Sequence, residues 1–454
     1  MGARLSDSAE YAHLWGTAEV RAVFDQDARR QRWLDILVVL AEAQAELGII
    51  PRPSATAIAE GARLERLDLD FLAAETRRTS HSTLGLINTL KAVLPEDAAE
   101  HVYYGVTVQD LTDTWTVLAA GQVMTIVWRD LRDLSRLLVG LAERHRSTVM
   151  PGRTHAQRGA PVTFGWKVAS WADEVSRHLE RLHEGRSRWL VGQLGGAVGT
   201  LGFFGDQGPA LRAAFCRRLG LDDPGISWLT SRDRVAEQAA VLALVTGTLA
   251  RIGNEVMELQ RDEIAELREP TSPDVVGSIT MPHKSNPERS EHLDTIARLV
   301  RAQSSLLMEG IVQIHERDGR AWKAEWLAFP EVCLLTSTAL ALALDLVGGL
   351  EVDAARMQAN VVAGGGLLSS ERVLSAYASR VGKHRAQTEL QAVLAAARRN
   401  GTPLAEAVVA AGIVDRHDAA ALAADTRVPT AEHDVDTVAR RVRAYLAGTP
   451  EEWP

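Results

Sequence analysis

Residues 277–288 read GSITMPHKSNPE, and they place Ser278, Lys284 and Asn286 together among glycine and proline turn residues. Lys284 offers a compact ammonium and Asn286, two positions on, an amide donor. The pair suits the stabilisation of a carboxylate or a developing oxyanion. Three further stretches break otherwise helical sequence with residues that helices do not need. Residues 76–85, TRRTSHSTLG, carry His81, Ser82 and Thr83; residues 103–114, YYGVTVQDLTDT, carry Thr107; residues 151–161, PGRTHAQRGAP, carry Thr154 and His155. The hydroxyls are neutral donors, and His155 is a group that can move a proton near neutral pH. Each stretch also has a plainer reading. TSHST reads as a helix cap and turn, GVTVQDLTDT as a helix start capped by Asp110 or Asp113, and the 277–288 loop as a surface linker. Their joint occurrence with the run from Met281 to Lys284 and with Asn286 speaks for chemistry.

Long helices must position these groups. No proline occurs in 96–150, 225–269, 288–329 or 331–402. Within these runs apolar residues recur at helical spacing, as in Leu131, Leu134, Leu138 and Leu141, or Val241, Leu244, Leu249, Ile252, Val256 and Leu259. Period-two strand patterns with Asn-Gly turns are nearly absent. The pattern predicts an all-α chain with long helices near 106–149, 162–190, 230–268, 288–317 and 330–347. It divides into three helical domains: 1–104, a central long-helix bundle at 105–345 with the polar loop near 269–287, and 346–454. The Ala, Leu and Val content of the long runs exceeds what one chain needs to bury, which predicts a multi-chain bundle.

At 454 residues, with 46% hydrophobic and 24% charged positions, the sequence suits a soluble globular protein of more than one domain. A net charge of −9 argues against nucleic acid as a partner, although a local cationic pocket can still hold an anion. Cys216 and Cys333 are too few for a disulfide framework and point to the cytoplasm. No apolar stretch has the length of a signal peptide core or of an uninterrupted membrane span. The thirteen histidines form no HExxH or close ligand cluster, so no metal is expected. GGAVGTLG lacks the strand and helix context of a dinucleotide site, so no cofactor is expected.

The loop GSITMPHKSNP resembles the signature of the fumarase/aspartase superfamily, G-S-x-x-M-P-x-K-x-N. PGRTHAQ and GVTVQDLTDT resemble that superfamily's Thr-His and Thr-Ser-x-Asp segments. QLGGAVGTLGFFG, TSRDRVAEQAAVLALVTGTLARIGNE and HERDGRAWKAEW resemble the branch containing 3-carboxy-cis,cis-muconate cycloisomerase and adenylosuccinate lyase, and the likeness runs from about residue 10 to 400. It implies a homotetramer with a central bundle of five long helices per subunit and active sites shared between chains. It also implies β-elimination from a succinyl group to give fumarate. Ser278 would then be the base and His155 the group that protonates the leaving group or orders a water. Lys284, Asn286, Thr154, Thr107, Ser82, Thr83, His81, Gln193 and Arg317 would bind substrate.

Two signature positions depart from the pattern: Ile279 replaces a serine in the loop, and Val108 replaces the serine after Thr107. Where adenylosuccinate lyases carry phosphate-binding residues, this chain has Trp322 and Trp326, which disfavours a nucleotide substrate. The resulting expectation is a carbon–nitrogen lyase acting on a small N-substituted succinate, nitrosuccinate or an aminated succinate, with release of nitrite or amine. Lactonisation of a carboxymuconate is the alternative.

Overall fold

Proline-free runs with apolar residues every three or four positions can bury one face only as helices. The computed structural model, which describes residues 4–271, 278–363 and 365–453, is accordingly all-α apart from one hairpin and one two-residue strand pair. The chain opens with α1 (Ala18–Phe24), α2 (Gln26–Glu46), α3 (Arg52–Gly61), α4 (Leu69–Thr79), α5 (Leu84–Ala92) and α6 (Glu96–Ala99). These helices enclose Leu34, Leu37, Leu40, Ile58 and Leu90. The central bundle is α7 (Val108–Arg144), α8 (Phe164–Trp189), α10 (Asp233–Gln260), α11 (Glu288–Glu309) and α12 (Gly319–Gly348), while the short α9 (Gly208–Leu219) packs on α2. Its core runs through Trp128, Leu131 and Leu138 of α7, Trp171 and Leu179 of α8, Leu242 and Leu249 of α10, Ile296 of α11 and Leu340 of α12. Helices α10 and α12 have the length and mean hydropathy (1.3 and 1.8) of a membrane-crossing segment. Most of each is buried in the bundle, 67% and 61% of the apolar window, so their apolar side chains build the core.

Two expectations are corrected here. The sequence pattern placed a break at Pro330, with helices at 288–317 and 330–347. Instead α11 ends at Glu309, and α12 begins at Gly319 and runs through Pro330. A proline removes one backbone hydrogen bond. Around it, burial of Phe329, Val332 and Cys333 and the N-cap carboxylate of Asp318 keep the helix continuous. The second correction is at 149–163, where β1 (Val149–Thr154) and β2 (Gln157–Thr163) form an antiparallel hairpin. Its two-residue turn is His155-Ala156, with φ of 50° and 61°, the left-handed pair that a type I′ turn requires. Asn-Gly supplies that geometry without strain; His-Ala does not announce it in sequence. Gly152 sits at the register shift, where a Cβ would come within 2.8 Å of the Ala160 carbonyl oxygen.

Beyond the bundle, β3 (Leu267–Arg268) pairs with β4 (Glu351–Val352). There follow α13 (Ala354–Val362), α14 (Ser370–Val381), α15 (Lys383–Asn400), α16 (Leu404–Ala410) and α17 (Arg416–Ala424). Helices α14 to α17 share a separate small core of Val373, Leu390, Leu404 and Val408. The last helix, α18 (Pro429–Gly448), returns to the bundle, where Val435, Val442 and Leu446 join the central core. Buried Arg132 of α7 holds it by donating to the Leu446 carbonyl at 2.8 Å and the Thr449 hydroxyl at 2.7 Å.

One end of the bundle is locked by charge. Arg232, 1% exposed, donates to Asp113 of α7 at 2.7 Å and through Nε to Glu325 of α12 at 2.9 Å, and a second nitrogen also reaches Glu325. The Trp322 indole N–H completes Asp113 at 3.0 Å. Burial alone would lower the guanidinium's proton affinity, but the two carboxylates outweigh it and raise it. Removing the central cation strands two buried carboxylates. Arg232→Leu is therefore expected to cost about 3–5 kcal/mol. Arg443→Ala, which breaks the exposed pair with Glu143, should cost about 1 kcal/mol or less. Urea unfolding of both variants tests this, and equal losses would deny the buried pair its structural role.

Candidate active site

The start of α7 builds a small polar clamp. Thr107 is the N-cap, its backbone N–H donating to the Asp110 carboxylate at 3.0 Å in a reciprocal capping box. Arg317, in the connection between α11 and α12, donates to the Thr107 hydroxyl at 2.6 Å, and its guanidinium lies 5.9 Å over the Trp322 ring. The neighbouring Asp318 is not its partner, because that carboxylate caps α12 and pairs with Arg320 at 2.5 Å. Among the described residues no carboxylate lies within salt-bridge distance of Arg317. A half-buried guanidinium with a hydroxyl beside it and N–H groups to spare is suited to grip a carboxylate.

Tyr103 was not singled out by sequence. Its phenol lies against the hydroxyls of Thr83 and Thr107; burial, then the charge of Asp110, push it above the usual tyrosine range while Arg317 opposes them. Its backbone is left-handed at φ 61°, an uncommon state for a bulky residue. The sequence cue is its place two residues before Gly105, itself at φ 75°, in the turn that leads into the cap. Thr83 is fully buried and Ser82 half-buried beside it. His81 is exposed, and its Nδ1 accepts from the Leu84 N–H at 3.1 Å, so its ring caps α5. Gln193 is fully buried: its amide donates to Ser227 at 2.9 Å and accepts from the Trp228 N–H at 3.0 Å. It is also 3.4 Å from Asp110, so it supports the clamp from behind.

The remaining sequence candidates lie elsewhere. Thr154 and His155 are exposed at the hairpin tip. The hairpin is tied down by Arg153, which grips the fully buried Glu266 at 2.7 and 2.9 Å. In the signature loop, residues 272–277, Gly277 included, lie outside the described residues. From Ser278 onward, the Ser278 hydroxyl accepts the Met281 N–H at 3.1 Å, Lys284 is exposed, and Asn286 donates to Glu288 at 3.3 Å. Glu269 anchors the loop by accepting the Ser290 N–H at 2.8 Å at the start of α11. The loop attaches to the last residue of α10, through Gln260 to the Ser285 carbonyl at 3.3 Å, and the hairpin to the segment just after it, through Arg153 to Glu266.

The two groups are at opposite ends of the bundle. The clamp starts α7, whereas the end of α7 meets the start of α8 just after the hairpin, with the Gly165 N–H on the His145 carbonyl at 2.9 Å. Thirty-seven helical residues span about 55 Å at 1.5 Å each. Within one chain, then, Thr83, Tyr103, Thr107 and Arg317 come together, while Ser278, Lys284, Asn286 and His155 stay far from them.

The same combination of fold and motifs recurs in known proteins. The family model described as lyase matches residues 15–302. The chain is 41% identical over 386 residues, 85% of each chain, to N-acetyl-S-(2-succino)cysteine lyase of Dickeya dadantii. It is 36% identical to 3-carboxy-cis,cis-muconate cycloisomerase of Acinetobacter baylyi, over 84% of this chain and 86% of that one. Its fold superposes on 3-carboxy-cis,cis-muconate lactonizing enzyme from Pseudomonas putida with a TM-score of 0.89 and 32% identity, covering 96% of this chain and all of the other.

Asp110 is the electrostatic weak point of the clamp. It accepts backbone N–H groups from Thr107 at 3.0 Å, Gly195 at 2.7 Å and Gly196 at 3.0 Å, yet burial pushes its carboxyl up to about 6. With the folded value raised above the ordinary aspartate value of about 3.9, the native state binds a proton that the unfolded chain has lost. The stability this proton confers is fully present below about pH 4 and disappears as pH rises through about 6. Asp110→Asn has no such titration. Between pH 4 and 7 its stability relative to the native protein should therefore climb by about 1–3 kcal/mol, whatever its fixed offset. A difference that stays constant in urea titrations across that range would overturn the burial argument.

Proposed function

The chain belongs to the fumarase/aspartase superfamily of lyases, and we propose that it performs β-elimination on a substituted succinate to give fumarate. The observation that carries the reading is the Arg317–Thr107 clamp, a guanidinium with no carboxylate partner among the described residues. One succinate carboxylate docks on it, with Thr83 and Tyr103 alongside. Ser278, ionised, removes the proton from the carbon next to the other carboxylate. The electron pair spreads into that carboxylate as an aci form, which Lys284 and Asn286 hold. The pair then forms the C=C bond as the bond to the heteroatom breaks, and the departing atom is protonated by His155 or by a water it orders with Thr154. The Met281 N–H already aimed at Ser278 Oγ at 3.1 Å is the kind of donor an alkoxide requires. This chemistry calls for no metal or cofactor.

Sequence alone favoured nitrogen as the departing atom, from nitrosuccinate or an aminated succinate. The relative at 41% identity is named for a succinylated thioether, and we place sulfur first. A thiolate, with a conjugate acid near pKa 8.5, leaves with little acid assistance, whereas an amine needs a general acid. Lactonisation of a carboxymuconate is the second reading, supported by the TM-score of 0.89 to the lactonizing enzyme.

Because one chain separates the two halves, the working site forms between copies, as a homotetramer with shared sites. Apolar side chains left exposed along the bundle, Leu244 at 51%, Val312 at 76% and Leu327 at 75%, are what such an assembly would bury. Free, buried Cys216 and Cys333 fit work in the cytoplasm.

Ser278→Ala is expected to lower kcat by about 10³-fold or more with KM little changed, read as fumarate release from a succinyl thioether. Arg317→Ala should also be inactive. Unfolding the two variants together and refolding them should restore activity that neither shows alone. A mixture as inactive as its parts would overturn the shared site, and wild-type turnover by Ser278→Ala would remove the base.

A further inference from the structure

A cavity of about 540 Å³ adjoins the clamp between α2, the turn before α5, α7 and α12. Its wall is shared with the clamp: the Trp322 ring under Arg317 packs edge-on against Trp326 at 4.8 Å between centroids, and Trp326 and Ser82 line the cavity. Three of the residues lining this space each carry a buried polar atom without a hydrogen-bond partner: Arg29 Nε, Trp33 Nε1 and Thr112 Oγ1. Buried polar groups are normally satisfied, and three such residues around one cavity set it apart from the surrounding core.

The charges around the cavity point the same way. Arg4 engages Asp7 at 3.0 Å and approaches Glu331 at 4.0 Å. Asp25 caps α2 through the N–H groups of Asp27 at 2.8 Å and Ala28 at 3.1 Å. Arg21 is held by the Ala12 carbonyl at 2.9 Å and the Gly16 carbonyl at 3.2 Å. Arg29 has no carboxylate within salt-bridge distance among the described residues. Its guanidinium lies 5.6 Å over the Trp33 ring and 6.0 Å over the Trp115 ring, which hold it in place without neutralising it. The cavity is therefore an aromatic box with a fixed cation, an indole N–H and a hydroxyl. A nitro or amino group would leave most of this volume unfilled.

We propose that this cavity receives the leaving group of the substituted succinate, and that this group has an apolar body bearing a carboxylate or amide oxygen. The assignment rests on the elimination reading above. The succinyl half sits at Thr107 and Arg317, and the departing half crosses Trp326 so that its oxygen meets Arg29, Trp33 and Thr112.

Two thioethers test it: the succinyl thioether of N-acetylcysteine, with both acceptors, and that of ethanethiol, with neither. The native enzyme is expected to prefer the first in kcat/KM by about 10–100-fold, the loss typical of a charge-assisted hydrogen bond. Arg29→Gln should bring that ratio close to one, mainly through KM. Thr112→Val, a same-shape change that removes an unpartnered hydroxyl and keeps the fold, should lower the ratio in the same direction. Fumarate release from both thioethers with a ratio near one in the native enzyme, or with a ratio that neither variant alters, would overturn the assignment while leaving the elimination reading intact. Absence of fumarate from every substituted succinate would defeat the elimination reading, and the assignment with it.

Discussion

Three helices meet at one buried guanidinium. Arg232 bonds Asp113 on α7 and Glu325 on α12 from the N-terminus of α10, with all three side chains nearly sealed from water. A hydrophobic cluster of the same volume would serve stability equally well or better, because desolvating charges is costly. What the ion pairs add is direction. Bidentate contacts fix the rotation and register of each helix, and the fourth partner of the set, the Trp322 indole on Asp113, is the ring over which Arg317 lies. The clamp inherits its geometry from this lock.

That arrangement shows how a chain of net charge −9 can still present guanidinium groups that no carboxylate among the described residues neutralises. Bulk charge sets long-range potential, but a local set of fixed donors decides binding. Most arginines here are matched by a carboxylate or pinned to a carbonyl. Arg317 and Arg29 have no such carboxylate among the described residues, and they lie on either side of the Trp322–Trp326 pair. Asp110, half stabilised by N–H groups and half penalised by burial, holds the cap between them.

Much of this was legible in sequence for reasons that can be named. The long helices follow from apolar spacing without proline, and Thr107 with Asp110 reads as a cap because the capping box is a local pattern. The sequence reading failed where the cause was not local. Pro330 ended a helix on paper, whereas the burial of its neighbours carries α12 through it. His155-Ala156 gives no turn signal, yet strand pairing on both sides drives it left-handed. The partners of Gln193 are likewise not written locally: packing places its amide against Ser227, Trp228 and Asp110. Tyr103 opens a stretch read for Thr107 alone, and Arg29 lies in no motif; one is distinguished by strain and the other by lacking a carboxylate partner among the described residues.

By itself the sequence determined the helical class, the family, and the kinds of chemical group that its loops carry, because residue type and short spacing are local quantities. Which groups share a site was decided by tertiary structure. The clamp unites positions as far apart in sequence as Thr83 and Arg317, while α7, 37 residues long, keeps Ser278 and His155 at the other end. Helix length and packing, which no short motif encodes, set that separation.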